Sequence, residues 1–385
     1  MTEDNTESRT EDRTTSGTTN GATDGTGNRK DDHVRHAVDQ QHSGPDAGRP
    51  SDHAAGDFDA VNFVHHALAG IDRDSVELAV KTPAGTWQAP LYINGMTGGS
   101  AGTGKINREL AVAAREAGIP IASGSMSAYL RDPSLASTFR VLRDENPDGV
   151  VIANLNANAD ADQARRAVAL LEADALQIHL NALQEIVMPE GDRDFAAWPA
   201  RIETITAAVE VPVIVKEVGF GLSLNTVRRL RELGVAAADV GGRGGTNFAR
   251  IENNRRSRGD YAFLQSWGQS TPCCLLDTAG VDGIGVFASG GVRSALDVAR
   301  ALALGATAVG VAGRFLGVLV EQGTAALVDE IADWLEALRR LMTVLGTPTP
   351  ADLTCCDLLL TGQVAAFCQA RGIDPAPYST RSTRT

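Results

Sequence analysis

The chain has 385 residues, 43% of them hydrophobic, enough for one large domain or two ordinary ones with a sizeable core. A formal net charge of −13 argues against nucleic acid or an anionic membrane as the default partner, but a locally basic pocket can still take a small anion. No apolar run reaches the roughly 18 residues of a membrane span, and the polar start MTEDNTESRTEDRTTSG carries no signal-peptide core, so a cytoplasmic protein is expected.

Residues 1–28 are almost free of apolar side chains and are expected to be disordered, since nothing there offsets the ordering entropy. Residues 29–57 hold the short charged segment RKDDHVRHA and a polar linker; on composition alone the segment reads as a fragment of surface helix. A catalytic domain is expected over 58–370 and a frayed tail over 371–385. Cys273, Cys274, Cys355, Cys356 and Cys368 lack paired zinc spacing and read as free thiols.

From residue 89 short apolar runs alternate with amphipathic segments. The runs are APLYINGM (89–96), IPIASGSM (119–126), GVVIANLN (149–156), ALQIHLNAL (175–183), PVIVKEVG (212–219), VAAADVGG (235–242), IGVFASGG (284–291) and ATAVGVAG (306–313). Eight such units, apolar as parallel strands covered on both faces should be, predict a (β/α)₈ barrel, with an open doubly wound sheet as the alternative. The stretch 252–276 is too long for an ordinary connection and predicts a loop or short helices over the mouth.

The polar residues gather at the strand ends, where such a barrel carries its site. FASGGVRSALDVA places two glycines between a strand and a helix, and VGVAGRF adds another glycine and an arginine; together they predict a phosphate nest after strands seven and eight. GGRGGTNF (241–248) is a second anion-facing loop but lacks dinucleotide spacing, and GSAGTGKI (99–106) fails as a P-loop because Ile106 stands where a hydroxyl is needed. Lys216, ending a buried strand, needs an anionic or electron-rich partner: a flavin edge, a phosphate or Glu217. In HLNALQEIVMPEGDRDF no second ligand stands at zinc spacing, and Glu185 is the candidate to hold Mg²⁺ together with substrate phosphates.

Taken together, RKDDH, MTGG, LQIHLNALQEIVMPEGDRDF, VPVIVKEVGFGLS, DVGGRGGTNFARIENNRR and ASGGVR resemble the type 2, flavin-dependent isopentenyl-diphosphate isomerases, from Arg29 to about Cys368. The resemblance implies a barrel enzyme that interconverts isopentenyl and dimethylallyl diphosphate with reduced FMN and Mg²⁺, uses NADPH or NADH as reductant, and assembles as a homotetramer or homooctamer. It implies a flavin lined by Met96, Thr97, Gly98, Ser125, Asn154, Lys216 and Thr246, with its phosphate on Gly290, Gly291, Val292, Ala312 and Gly313. Arg29, Lys30, Ser125 and Gln184 would bind the substrate, Gln184 and His179 would carry the catalytic roles, and Glu185 would hold the metal.

Two positions depart from the family pattern. Gly124–Tyr129 read GSMSAY where many members have G-S-Q-R, so two side-chain donors to the diphosphate are missing, and Gly241 replaces a common serine. A flavin-dependent oxidoreductase acting on 2-hydroxy acids is the alternative function on the same barrel. It would need a histidine and an arginine arranged around a carboxylate.

Overall fold

The computed structural model describes residues 34–40, 57–96 and 98–383. Eight parallel strands close into a barrel in chain order: β1 (Leu91–Ile93), β2 (Ile121–Ala122), β3 (Val151–Asn156), β4 (Ala175–Leu180), β5 (Val213–Glu217), β6 (Ala237–Asp239), β7 (Gly285–Ser289) and β8 (Ala308–Val311). Each falls inside one of the eight predicted runs, and β8 closes on β1 through the pairs Val309–Leu91 and Val311–Ile93. The open-sheet alternative is thereby excluded.

The barrel interior is built in two layers. Tyr92, Ala122, Ile152, Ala175, Ile214, Ala237, Phe287 and Ala308, one from each strand, form the lower apolar layer. Four of these are alanines, and the space they leave is filled by Tyr92, Phe287 and the fully buried Trp87, whose ring lies 5.4 Å from that of Phe287. Trp87 comes from a hairpin (Val80–Thr82 with Gly85–Trp87) that plugs the bottom of the barrel. Two residues further along each strand, on the same face, the side chains are polar or absent: Asn94, Gly124, Asn154, Gln177, Lys216, Asp239, Ser289 and Gly310. Aliphatic side chains on the opposite faces pack under the helices, in the main core.

The helices that shape the mouth are α1 (34–40), α2 (Ala101–Ala117), α3 (Ser127–Arg131), α4 (Ala182–Val187), α5 (Phe248–Asn254) and α6 (Gly313–Gln322). The near P-loop is the start of α2: Ser100 caps it by accepting from Thr103 N at 3.1 Å. The stretch 252–276 is the end of α5, a 3₁₀ turn (Ala262–Leu264) and the start of the helix Thr271–Thr278.

The C-terminal segment differs from the frayed tail expected over 371–385. Residues Ala376–Thr383 form 3₁₀ turns docked on the domain. Arg381 Nη1 donates to Ala303 O at 2.7 Å, its guanidinium stacks over Tyr378, and Asp357 accepts from the backbone and hydroxyl of Ser382. Composition alone hid these anchors because each is a single side chain in a polar run. The tail predicted over 1–28 lies outside the described residues.

Candidate active site

The strand mouths open into a cavity of about 370 Å³. On the β7–β8 side it is lined by Gly290, Gly291 and Val292 and, at the start of α6, by Ala312 and Gly313. Gly290 and Gly291 have φ of +89° and +75°, which side chains rarely adopt, and a Cβ on Gly290 would fall 2.0 Å from Gly242 O. Among the described residues the amides of Gly290, Gly291 and Val292 donate to no carbonyl or side chain. With the N-terminus of the ten-residue α6 they present bare donors to an anion.

Met96, Ser125, Asn154, Lys216 and Thr246 also line the cavity, as do His179, Gln184 and Glu185. Gly98 does not. It packs beneath the ring of Phe139, where a Cβ would meet Cε1 at 2.2 Å, so the first glycine of MTGG serves packing. Arg29, Lys30 and Thr97 lie outside the described residues. Buried Thr246 Oγ1 has no partner among the described residues, which fits a ligand edge at that loop.

A hydrogen-bonded chain crosses the floor. Lys216 Nζ, which can only donate, reaches Asn94 Oδ1 at 3.0 Å, and Gly95 N donates to the same oxygen at 2.9 Å. That fixes the Asn94 amide, so Gln177 Nε2 must donate to it (3.4 Å) and Gln177 Oε1 must accept from Asn154 Nδ2 (2.6 Å). Asn154 Oδ1 then faces His179 Nδ1 at 2.8 Å and can only accept, so Nδ1 carries the proton. Burial pulls the Lys216 ammonium below its ordinary range, opposed by the charges of Asp239 and Glu217. Glu217 is not its hydrogen-bond partner: Glu217 Oε2 turns away to accept from Gly219 N at 2.7 Å, Gly221 N at 3.2 Å and Phe220 N. Burial nevertheless pushes the Glu217 carboxyl up to about 7.

Over β4, the first turn of α4 carries Gln184 and Glu185, both buried. Asn181 Nδ2 donates to Glu185 Oε1 at 2.8 Å, and Asp192 N donates to Oε2 at 2.9 Å. Arg193 ties the loop around them, donating to the carbonyls of Met188 (2.8 Å) and Glu185 (2.5 Å). Among the described residues no three His, Cys, Asp or Glu side chains gather to hold a metal. Glu185 keeps a lone pair on each oxygen, so this single carboxylate suits a hard cation whose remaining ligands are phosphate and water, while Glu190, which also lines the cavity, is paired with Arg255.

Three residues escaped the sequence reading. Glu252, fully buried on α5, accepts from Gln184 Nε2 at 2.9 Å and pairs with Arg255. Asp239, fully buried at the end of β6, accepts from Tyr92 and Asn94. Its signal was available: a charged residue ending an apolar strand, as at Lys216. Arg131, at the end of α3, lines the cavity. The other lining guanidiniums are taken, Arg293 by Asp59 and Asp297 and Arg314 by Glu330, whereas Arg131 has no acidic partner among the described residues.

A closed parallel barrel with an amide-lined anion cradle beside a buried lysine defines a flavin-mononucleotide class of enzyme. Accordingly, the family model described as FMN-dependent dehydrogenase matches residues 152–358. Solved structures of a mandelate oxidase variant with a monooxide FMN adduct (TM-score 0.57, 19% identity, 79% of this chain and 90% of that one) and of flavocytochrome b2 with benzoylformate (0.57, 20%, 77% and 75%) share the fold. Curated relatives called isopentenyl-diphosphate delta-isomerase align almost end to end: Nocardia farcinica at 65% identity (93% of this chain, 96% of the relative), Kitasatospora griseola at 62% (93% and 96%) and Staphylococcus epidermidis at 43% (90% and 96%). The chain belongs to the type 2 isopentenyl-diphosphate delta-isomerase family.

Proposed function

We propose that this enzyme interconverts isopentenyl diphosphate and dimethylallyl diphosphate in isoprenoid biosynthesis, with reduced FMN and Mg²⁺ in the cavity and NADPH or NADH as reductant, as a cytoplasmic homotetramer or homooctamer. The observation that carries the reading is the meeting, in one cavity, of the amide cradle at β7–β8 and the Asn181–Gln184–Glu185 cluster over β4, in a chain 43–65% identical to relatives of that name.

In this reading Gly290, Gly291, Val292, Ala312 and Gly313 hold the flavin phosphate, while Met96, Thr97, Gly98, Ser125, Asn154, Lys216 and Thr246 belong to the ring's surroundings; Gly98 acts there by letting the loop pack on Phe139. When bound, reduced FMN supplies an electron-rich ring and a nitrogen able to give and take a proton. Glu185 holds Mg²⁺ against the diphosphate, and Arg29, Lys30, Ser125 and Arg131 supply donors to its oxygens. Arg131 stands one helical turn beyond Ser127, the place where the common family pattern has arginine, and so offsets the missing donor.

Moving a double bond by one carbon adds a proton at one end and removes one at the other, with positive charge developing between. Gln184, its amide held by Glu252, orients the hydrocarbon end of the substrate and limits the water that would capture that charge. His179, held in one tautomer through Asn154, keeps a defined ring edge toward the cavity. The test is anaerobic turnover with photoreduced FMN and no nicotinamide. Sustained isomerisation without net flavin oxidation is expected, and consumption of one reductant per product would transfer the chain to the oxidoreductase alternative. Against that alternative, His179 is the one histidine lining the cavity among the described residues, and Arg293, at β7, is engaged by two aspartates.

A further inference from the structure

Asp239 is fully buried, touches no substrate-facing surface, and is not used by the reaction as derived above. Its two oxygens accept four hydrogen bonds: from Tyr92 OH (2.7 Å) and Asn94 Nδ2 (2.9 Å) on Oδ2, and from Ser289 Oγ (2.7 Å) and Gly241 N (3.2 Å) on Oδ1. The donors come from β1, β7 and the loop after β6, so the carboxylate joins three parts of the barrel. Gly310 makes this possible: a Cβ there would lie 2.7 Å from the Tyr92 hydroxyl and 2.9 Å from Asn94 Nδ2. A buried carboxylate is costly unless a cation compensates it, and the cation in reach is Lys216, its partner in register across β5 and β6.

The two charges form no direct ion pair. Asn94 stands between them, donating to Asp239 and accepting from Lys216. An amide so placed is polarised by both ends, and reversing it would set like against like at each. Lys216 is thus embedded among His179 in register on β4, Glu217 on its own strand, Asn94 just beyond the end of β1 and Asp239 on β6. Glu217 spends its hydrogen bonds on the Gly219–Gly221 turn.

We propose that Asp239 is a positioning residue which, through Asn94, holds Lys216 in place and charged against the flavin. This inference rests on the FMN reading only for its last clause. Burial disfavours the Lys216 ammonium, and the charge of Asp239 works against that loss. A cation at that edge favours the reduced, anionic ring, so its loss lowers the flavin's reduction potential.

The chain has four lysines, Lys30, Lys81, Lys105 and Lys216, so ¹⁵N-lysine NMR of the flavin-free protein resolves Lys216 by comparison with Lys216→Met. In the unsubstituted protein Lys216 should be charged at pH 7, and a neutral amine there would overturn the proposal without need of any Asp239 variant. In Asp239→Asn its titration should fall by about one unit or more, and an unchanged titration would equally overturn it. With FMN bound, Asp239→Asn should lower the flavin potential in the presence of Lys216 and leave it unmoved in a Lys216→Met background. An equal shift in both backgrounds would make Asp239 merely structural. Should the unsubstituted protein bind no FMN, the flavin reading fails, while the NMR comparison still decides whether Asp239 governs Lys216.

Discussion

The side chain of Gln40 grips the backbone of Asn247, 207 residues away: its Oε1 accepts from Asn247 N at 2.8 Å and its Nε2 donates to Asn247 O at 3.3 Å. At the same time Ala37 and Val38 of α1 pack with Leu316 of α6, Met96 and Ile106. The helix following RKDDH therefore joins the β1 and β8 side of the mouth to the loop after β6. Over its described residues, 34–40, the helix that begins in the segment read from composition as a fragment of surface helix makes an apolar contact through Ala37 and Val38 and a clamp through Gln40. Gln40→Ala removes both bonds, each worth about 1 kcal/mol, and should raise KM for isopentenyl diphosphate severalfold, with a smaller change in kcat. Steady-state kinetics at saturating FMN check this, and an unchanged KM would mean that the clamp does not serve substrate binding.

Arg131→Ala should raise KM for the diphosphate about tenfold, the loss of one charge-assisted contact, and leave the FMN dissociation constant unchanged. Arg131→Lys should recover part of the loss, because the charge returns without the planar fork. Flavin binding that weakens in step with KM would place Arg131 in the fold of the mouth.

The eight strands were legible because parallel strands covered on both faces are unbroken apolar runs. The polar inner layer was only half legible. Ile152–Asn154–Asn156, Ala175–Gln177–His179, Ile214–Lys216 and Ala237–Asp239 each step from the apolar to the polar layer by the two-residue period of a strand. Lys216 stands out because a buried ammonium is costly; Asp239 ends its strand in the same way, but it opens the segment DVGGRGG, whose glycines and arginine point to the anion-facing loop and not to the barrel floor. Glu252 and Arg131 could not be found by periodicity at all. Both sit on short helices in strand-to-helix loops, and only the closure of the barrel brings Glu252 to Gln184, 68 residues back in the chain. The docking of residues 376–383 was hidden for a similar reason, since Ser382 and Arg381 find their partners Asp357 and Ala303 only through tertiary contact.

Glu185→Gln keeps the shape of the side chain and its place at Asn181 but removes its charge. The Mg²⁺ concentration for half-maximal activity should rise about tenfold or more, while FMN stays bound, since the flavin cradle lies across the cavity at β7–β8. A magnesium titration that superimposes on that of the unsubstituted enzyme would take Glu185 out of the metal role.

Glu217 gives the fold a pH dependence of definite sign. Its carboxyl lies at about 7 in the folded protein against an ordinary 4.5, because burial disfavours the charge more than the amides of Gly219, Phe220 and Gly221 favour it. Between those two values the folded chain keeps a proton that the unfolded chain has released. The stability contributed by this group is therefore fully present below about 4.5 and is lost as pH rises through 7. A displacement of this size corresponds to about 3 kcal/mol, an order of magnitude comparable with a third of a typical domain's total stability. Glu217→Gln cannot titrate, and its amide oxygen can still accept from the turn. The stability of the unsubstituted protein relative to Glu217→Gln should fall steadily from pH 5 to 8 in urea unfolding, with the steepest change between pH 5 and 7. A difference that stays constant across that range would show that the carboxyl titrates at its ordinary value, and that the turn after β5 is stabilised by the ionised group from the outset.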